Sequence, residues 1–374
     1  MGKKIKVAIV IRGFHNGGIE KVFESYLSHM DRSDFELHFV THMKNLPEKK
    51  QLFTDMGCVV HELSPLRGHR LTARNLREYR QLFAENQFDV VHNNVPDNLL
   101  PLLFAKQKKV PCRILHAHNI YTAGYEKKNP LVAKLFKMGF AFNTANATDL
   151  VSVSKDAALS AFGEKRAADA VLLPNAIKTR RFAFNPQVRE EMRRSLGVED
   201  SYVVGHIGRY ETEQKNQEFV LESFRQLLTL QPDSRLVMIG DGARLETFRA
   251  MAADLGIADR VNFTGNIVNV PDCLQAMDVF VLPSRKEGLG IVAVEAQAAG
   301  LYCLLSDKVP AEAAVTQNAE FLPIDDAAVW GRALSERRGK LPVREGMAQA
   351  VADAGYDISA QAEKLADLYR SRTV

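Results

Sequence analysis

The sequence predicts an α/β protein of two doubly wound domains, each a parallel sheet covered by helices on both faces. Three observations carry that prediction. Short apolar runs alternate with amphipathic helical stretches along nearly the whole chain. Strands buried on both faces read as continuous runs of this kind, whereas half-exposed strands alternate. The length, 374 residues, is more than one core of ordinary size holds. The charge is also divided: residues 1–180 carry 27 Lys+Arg against 17 Asp+Glu, and the remainder 22 against 28, as two domains with different partners would.

In the first half, strands are expected over residues 5–11, 35–40, 58–61, 89–92, 113–116 and 150–153. Helical periodicity fills the gaps, for example over 19–30, 71–85 and 130–145. The second half repeats the alternation, with strands over 202–207, 235–239, 261–263, 279–282 and 302–305. Between the halves, VLLPNAIKTRRFAF (residues 171–184) breaks the periodicity at its Pro-Asn and marks the boundary. This gives a first domain over 1–175 and a second over 176–355. A last helical stretch, 358–370, is too isolated to close a sheet, so residues 356–374 are expected to pack back on the first domain.

Composition excludes several classes. Cys58, Cys112, Cys273 and Cys303 are scattered and form no CxxC, which argues for reduced thiols, not disulfides or a zinc site. No run approaches the ~18 apolar residues of a spanning helix, and Arg12 cuts the apolar run at 7–11 too early for a signal peptide. Position 6 of MGKKIK is neither Ser nor Thr, so myristoylation is not expected. A cytoplasmic protein follows. Its basic first half could face anionic lipid, a phosphorylated acceptor or nucleic acid, or simply keep a surface soluble. Nucleic acid is disfavoured because basic and aromatic residues are not interleaved.

Ligands of doubly wound sheets sit beyond the carboxyl ends of the strands, so the loops that follow strands are informative. After VFVL comes SRKEGLGIVAVEAQAAGL (residues 284–301). Its glycines Gly288 and Gly290 let a ligand approach the backbone, and the helix start offers unpaired N–H groups suited to phosphate. Glu287 lies in the loop, and Glu295 is the one charge in the helix that follows. A buried carboxylate without a partner is costly, whereas a ribose diol supplies it with two O–H donors. The plainer alternative has Glu287 capping the helix and Glu295 in water. A second loop, GRYETEQKN (208–216), sets Arg209 and Lys215 six residues apart after another strand. A planar guanidinium fork and an ammonium can together neutralise a diphosphate; the alternative is a solvated basic loop. Gly240-Asp241-Gly242 by itself signals a tight turn. Gly17-Gly18 after the first strand does not match GxGxxG, which weakens a dinucleotide reading. In RILHAHN (113–119), His116 and His118 could be a metal pair short of further ligands, core or capping histidines, or contacts to a bound polar substrate.

Together these stretches resemble the retaining glycosyltransferases of family 4, which have the GT-B fold. EGLGIVAVE, an E-x7-E pattern continued by AQAAGL, carries the resemblance most specifically. GGIEKVF, RILHAHN, LVSVSK, LLPNAI, GRYETEQKN, LVMIGDG, VNFTG and MDVFVLPS support it in chain order, over nearly the whole chain. GGIEKV and EAQAAGL are similar to bacterial capsular and exopolysaccharide glycosyltransferases.

The resemblance implies two Rossmann-like domains facing across a cleft, the first binding acceptor and the second donor. The implied reaction is retaining transfer of a hexose or N-acetylhexosamine from a nucleoside diphosphate sugar, UDP-linked, to a lipid-linked glycan in cell-surface polysaccharide synthesis. Arg209 and Lys215 would bind the diphosphate, Glu295 the ribose hydroxyls and Glu287 the hydroxyls of the sugar. Backbone N–H groups of Gly288, Leu289 and Gly290 would lie near sugar and phosphate. His116 would stand by the transferred sugar with His118 beside it, and Gly17 and Gly18 would cover the phosphates. Asn266 and Ile267 would receive the base, and Gly240 counts among the donor contacts. Three departures mark the chain: Tyr302 in place of a proline, Gln217 where histidine often follows Lys-Asn, and the basic pair Arg285-Lys286. No Asp-x-Asp occurs, so no metal or other cofactor is expected. Arg67, Arg70, Arg74, Arg77, Arg80, Lys127, Lys128, Lys134 and Lys137 suggest peripheral docking on the anionic inner face of the cell membrane. Two rivals are a sugar-nucleotide epimerase of the same overall fold and a non-catalytic nucleotide-sugar-binding protein.

Overall fold

The computed structural model describes residues 3–15, 18–66, 72–119, 130–265 and 269–372, omitting the side chains of 130–133 and 135. Gly17, Arg67, Arg70, Lys127, Lys128, Asn266 and Ile267 lie outside the described residues. The chain divides into two compact units, Met1–Asn175 with Ile358–Val374, and Ala176–Asp357.

The first unit holds strands β1 (Ile5–Val10), β2 (Phe35–Thr41), β3 (Val59–Glu62), β4 (Val90–Asn93), β5 (Cys112–Ala117), β6 (Asp149–Ser152) and β7 (Val171–Leu172). They pair in parallel in the order β3-β2-β1-β4-β5-β6-β7. The second unit holds β8 (Tyr202–Ile207), β9 (Ser234–Ile239), β10 (Val261–Gly265), β11 (Val279–Leu282), β12 (Tyr302–Ser306) and β13 (Ala319–Leu322). These are also parallel, in the order β10-β9-β8-β11-β12-β13.

Two strands depart from the sequence expectation. β7 falls inside the stretch assigned to the boundary, and β13 was not anticipated. Both are edge strands and only part-buried. A strand that pairs on one side and is not sealed on both faces needs no continuous apolar run, so its pattern is faint.

The final helix, Ile358–Ser371, packs against the helix Gly18–His29 and β1. Ile358, Ala362, Leu365, Ala366 and Tyr369 form its buried stripe at helical spacing. Each large side chain there contributes about 1.5–3 kcal/mol of burial, which holds the C-terminus on the first unit. In the second unit one sheet face is sealed by a core that includes Ala293, Val294 and Ala296 of the helix Ile291–Ala298. The other face is sealed by Phe219, Phe224 and Trp330. In each sheet the strand order reverses beside the first strand, between β1 and β4 and between β8 and β11. Such a reversal opens a crevice at the carboxyl ends of its strands.

Candidate active site

In the second unit, β8 and β11 flank the reversal, and each runs into a loop that the sequence singled out. Hydrogen bonds clamp the two loops together. Asn216 Nδ2 donates to the Pro283 carbonyl at 3.1 Å, the Arg285 N–H to the Gln214 carbonyl at 2.9 Å, and Gln214 Nε2 to the Lys286 carbonyl at 3.0 Å. The clamp sets Lys215 against Glu287: Nζ donates to Oε1 at 2.7 Å, and the Ser284 hydroxyl donates to the same oxygen at 2.6 Å. Ser284 is pinned in turn, its carbonyl accepting from the Ser306 hydroxyl at 2.7 Å. Glu287 is only 6% exposed.

Glu287 is therefore not a helix cap. The helix begins at Ile291 behind Gly290, whose φ of 82° is left-handed, and no side chain caps it. Glu295 therefore stands one turn into the helix. Glu295 is part-buried and makes no hydrogen bond or ion pair among the described residues. Burial pushes its carboxyl up to about 7, with the positive charge of Lys215 pulling the other way. Glu295 is thus unpaired among the described residues and only part-exposed, and its lone pairs are open to a ligand.

Arg209 has an exposed side chain, and its carbonyl accepts from Gln217 Nε2 at 3.0 Å. Gln217, the departure from histidine, is fully buried and fixes the backbone of the loop from below. Gly240 has a packing role: with φ 149°, a Cβ there would stand 1.8 Å from the Gly208 carbonyl oxygen, beneath the loop of Arg209. Leu289 and Gly290 are buried and Gly288 is part-exposed, so the chain between the two carboxylates lies close under the surface.

In the first unit, the strand ends present a row of histidines. His116 and His92 are the penultimate residues of β5 and β4, and their rings stack with centroids 5.2 Å apart. His92 Nε2 lies 3.1 Å from His116 Nδ1, and His92 Nδ1 lies 2.7 Å from the Tyr369 hydroxyl. The His118 ring centroid is 3.8 Å from that of His116, and its Nε2 meets Asn94 Oδ1 at 2.7 Å. Burial drives the rings of His92 and His118 down to about 3 and that of His116 well below its ordinary range. All three are neutral at pH 7. Among the described residues no group of three or more His, Cys, Asp or Glu is placed to hold a metal ion. The rings engage one another and do not converge on a common point. Gly18 opens the helix Gly18–His29, and Glu20, buried in its first turn, accepts from the His15 N–H at 2.7 Å.

Sequence reasoning missed Ser284, Gln214, His92 and Tyr369. Two of them had a signal. Ser284 and Glu287 form S-x-x-E, a spacing at which a hydroxyl meets a carboxylate locally. His92 stands next to the end of its strand, as His116 does in the neighbouring one.

Comparison with known proteins gives a consistent result. Residues 17–176 match the family model described as glycosyl transferase 4-like domain. Residues 188–328 match the one described as glycosyl transferases group 1. EpsF of Bacillus subtilis, which carries the name of a glycosyltransferase, is 28% identical over 380 residues, covering 98% of this chain and 97% of its own. The GDP-mannose-dependent alpha-(1-6)-phosphatidylinositol monomannoside mannosyltransferase of Mycobacterium tuberculosis is 28% identical over 311 residues, 78% of each chain. Among solved structures, Anabaena Alr3699/HepE in complex with UDP superposes with a TM-score of 0.80 at 16% identity, covering 98% of this chain and all of that one.

Proposed function

Because this chain is a GT-B glycosyltransferase resembling enzymes of exopolysaccharide synthesis, we propose that it moves a hexose or N-acetylhexosamine from a UDP-sugar to a lipid-linked glycan with retention of anomeric configuration. One observation carries the reading. At the β8/β11 reversal the folded chain sets a cation, Lys215, on a buried carboxylate, Glu287, beside a second carboxylate, Glu295, that has no side-chain partner among the described residues.

Arg209 and Lys215 neutralise the leaving diphosphate, Glu295 accepts from the ribose hydroxyls and Glu287 from the sugar. His116 donates to the sugar undergoing transfer. Breaking a glycosyl–phosphate bond develops positive charge on the sugar and negative charge on the diphosphate. Preorganised cations and backbone N–H groups stabilise the latter without reorganising. No metal takes part in this reading, and Glu287, held by Lys215 and Ser284, binds hydroxyls and does not attack as a nucleophile. The departing phosphate takes the proton of the acceptor on the same face.

The test is a panel of UDP- and GDP-sugars with nucleotide release as readout and chelator present throughout, followed by the anomeric configuration of the product. UDP release unaffected by chelator, with a retained anomer, is expected. Interconversion of sugar nucleotides without release points to an epimerase, and binding with neither points to a passive binder. GDP-mannose is the second reading, favoured by the mannosyltransferase relative; release of GDP alone selects it.

We place the protein at the inner face of the cell membrane, on its first unit. No described helix is long and apolar enough to cross a membrane. Met138 is 60% exposed and Leu159 47%, and Lys134 and Lys137 are exposed beside Met138. Arg74 is less available than its sequence suggested, since Glu78 pairs with it at 3.0 Å. Co-sedimentation with anionic vesicles that weakens as salt rises is expected; protein that stays in the supernatant at low salt overturns the placement.

A further inference from the structure

The structure assigns Tyr369 and His92 a positioning role: they fix which ring nitrogen of His116 carries its proton, so that Nε2 presents an N–H to a bound sugar. This rests on the glycosyltransferase reading above, in which His116 stands at the transferred sugar.

The argument starts from the end of the chain. Tyr369 is fully buried on the helix Ile358–Ser371, its ring edge-on to Phe35 at 5.8 Å on one side and to His92 at 5.8 Å on another. Phe23 meets the His92 ring at 5.5 Å. None of these rings is free to turn away. The hydrogen bonds then form a line: Tyr369 Oη to His92 Nδ1 at 2.7 Å, and His92 Nε2 to His116 Nδ1 at 3.1 Å. It ends at His116 Nε2, which is buried and has no hydrogen-bond partner among the described residues.

A neutral imidazole carries one proton, so the line runs in one direction only. If Tyr369 donates to His92 Nδ1, His92 must hold its proton on Nε2 and donate to His116 Nδ1. His116 then carries its own proton on Nε2. In the opposite direction His116 holds its proton on Nδ1, and Nε2 is an acceptor. The first direction fits better. A phenol hydroxyl is a stronger donor than acceptor, whereas a bare imidazole nitrogen is a good acceptor, and a separation of 2.7 Å suits an O–H donor.

The consequence is chemical. A donor beside a sugar that becomes positively charged must not itself be positive. A buried imidazole with its proton fixed on Nε2 meets both needs: it donates to a sugar oxygen and adds no charge to oppose the developing cation. The neighbouring ring is set independently. Asn94 Nδ2 donates to the His92 carbonyl at 3.3 Å, which turns Asn94 Oδ1 toward His118 Nε2, so His118 also carries its proton on Nε2.

The test reads the tautomer directly. In the unliganded protein labelled with ring-15N histidine, the His116 resonances should show a protonated Nε2 and a bare Nδ1. Tyr369→Phe keeps the ring packing and removes the hydroxyl; the His116 signals should become those of a tautomer mixture. Turnover should fall about tenfold with donor KM within about twofold, because only the oriented donor is lost. His92→Gln, whose amide can still donate to His116 Nδ1, should hold the wild-type tautomer; His92→Met should not. Thermal melts of each variant separate this from misfolding. A wild-type His116 protonated on Nδ1, or a Tyr369→Phe protein with unchanged tautomer or unchanged turnover, overturns the proposal. If wild-type protein releases nucleotide from no sugar nucleotide, the functional reading fails, while the 15N spectrum still decides the relay.

Discussion

Replacing Lys215 by Met lowers kcat by about 10²–10³-fold, the loss expected when one preorganised charge is withdrawn from a developing anion. The unliganded structure shows where that charge rests: 2.7 Å from Glu287, in a pair whose carboxylate is almost wholly buried. In the reaction proposed above, an entering diphosphate would compete with Glu287 for the ammonium and free the carboxylate for the sugar hydroxyls. Binding and arming of the site are then a single event. The substitution has a second effect, because Glu287 is left with the Ser284 hydroxyl as its one partner. Stranding a buried carboxylate costs up to about 3 kcal/mol here, less than a fully buried pair because Lys215 is partly exposed. The double variant Lys215→Met/Glu287→Gln separates the two. It should recover most of the melting temperature and none of the turnover. A single variant that keeps a third or more of wild-type kcat would remove Lys215 from the chemistry.

Much of this site could be read from the sequence because its signals are local. The uncharged run around Glu295, the glycines at 288 and 290 and the two cations of GRYETEQKN each occupy a few consecutive residues at a strand end. The ion pair that joins them could not be read. Lys215 and Glu287 are 72 positions apart, and only the adjacency of β8 and β11 brings them together. The same holds for Tyr369, which reaches His92 across 277 positions through the return of the last helix. Both domains were legible because their central strands are sealed on two faces and therefore continuously apolar. β7 and β13, sealed on one side, left no such trace. The exact start of the helix at Ile291 could not be read, because a left-handed φ at Gly290, which ends the loop, leaves no break in an otherwise apolar run.

Glu295→Gln abolishes a pH dependence that the wild-type protein should display in binding a bare nucleoside. A nucleoside is the right probe: it carries the ribose diol but no phosphate, so neither a phosphate contact to Lys215 nor a phosphate titration enters. The carboxylate form of Glu295 accepts two O–H bonds and the protonated form fewer, so binding follows ionisation. With the carboxyl pushed up to about 7, the ionised fraction rises from about one tenth at pH 6 to about nine tenths at pH 8, and Kd should tighten up to about tenfold. Binding near pH 6.5 should also release a proton, detectable by calorimetry in buffers of different ionisation enthalpy. At pH 8 the Gln variant should bind about 10–100-fold more weakly, as loss of charge-assisted hydrogen bonds requires. The same shift bears on stability, with a definite sign. The folded state holds this proton more tightly than an unfolded glutamate with its model value of 4.5. The contribution is therefore complete below about 4.5 and is lost as pH rises through about 7. Melting temperature of the unliganded protein should fall across that window, and the Gln variant should fall less. A wild-type Kd that is flat from pH 6 to 8, or a slope that survives in Glu295→Gln, would detach Glu295 from the ribose and leave the lone carboxylate of that helix without a ligand.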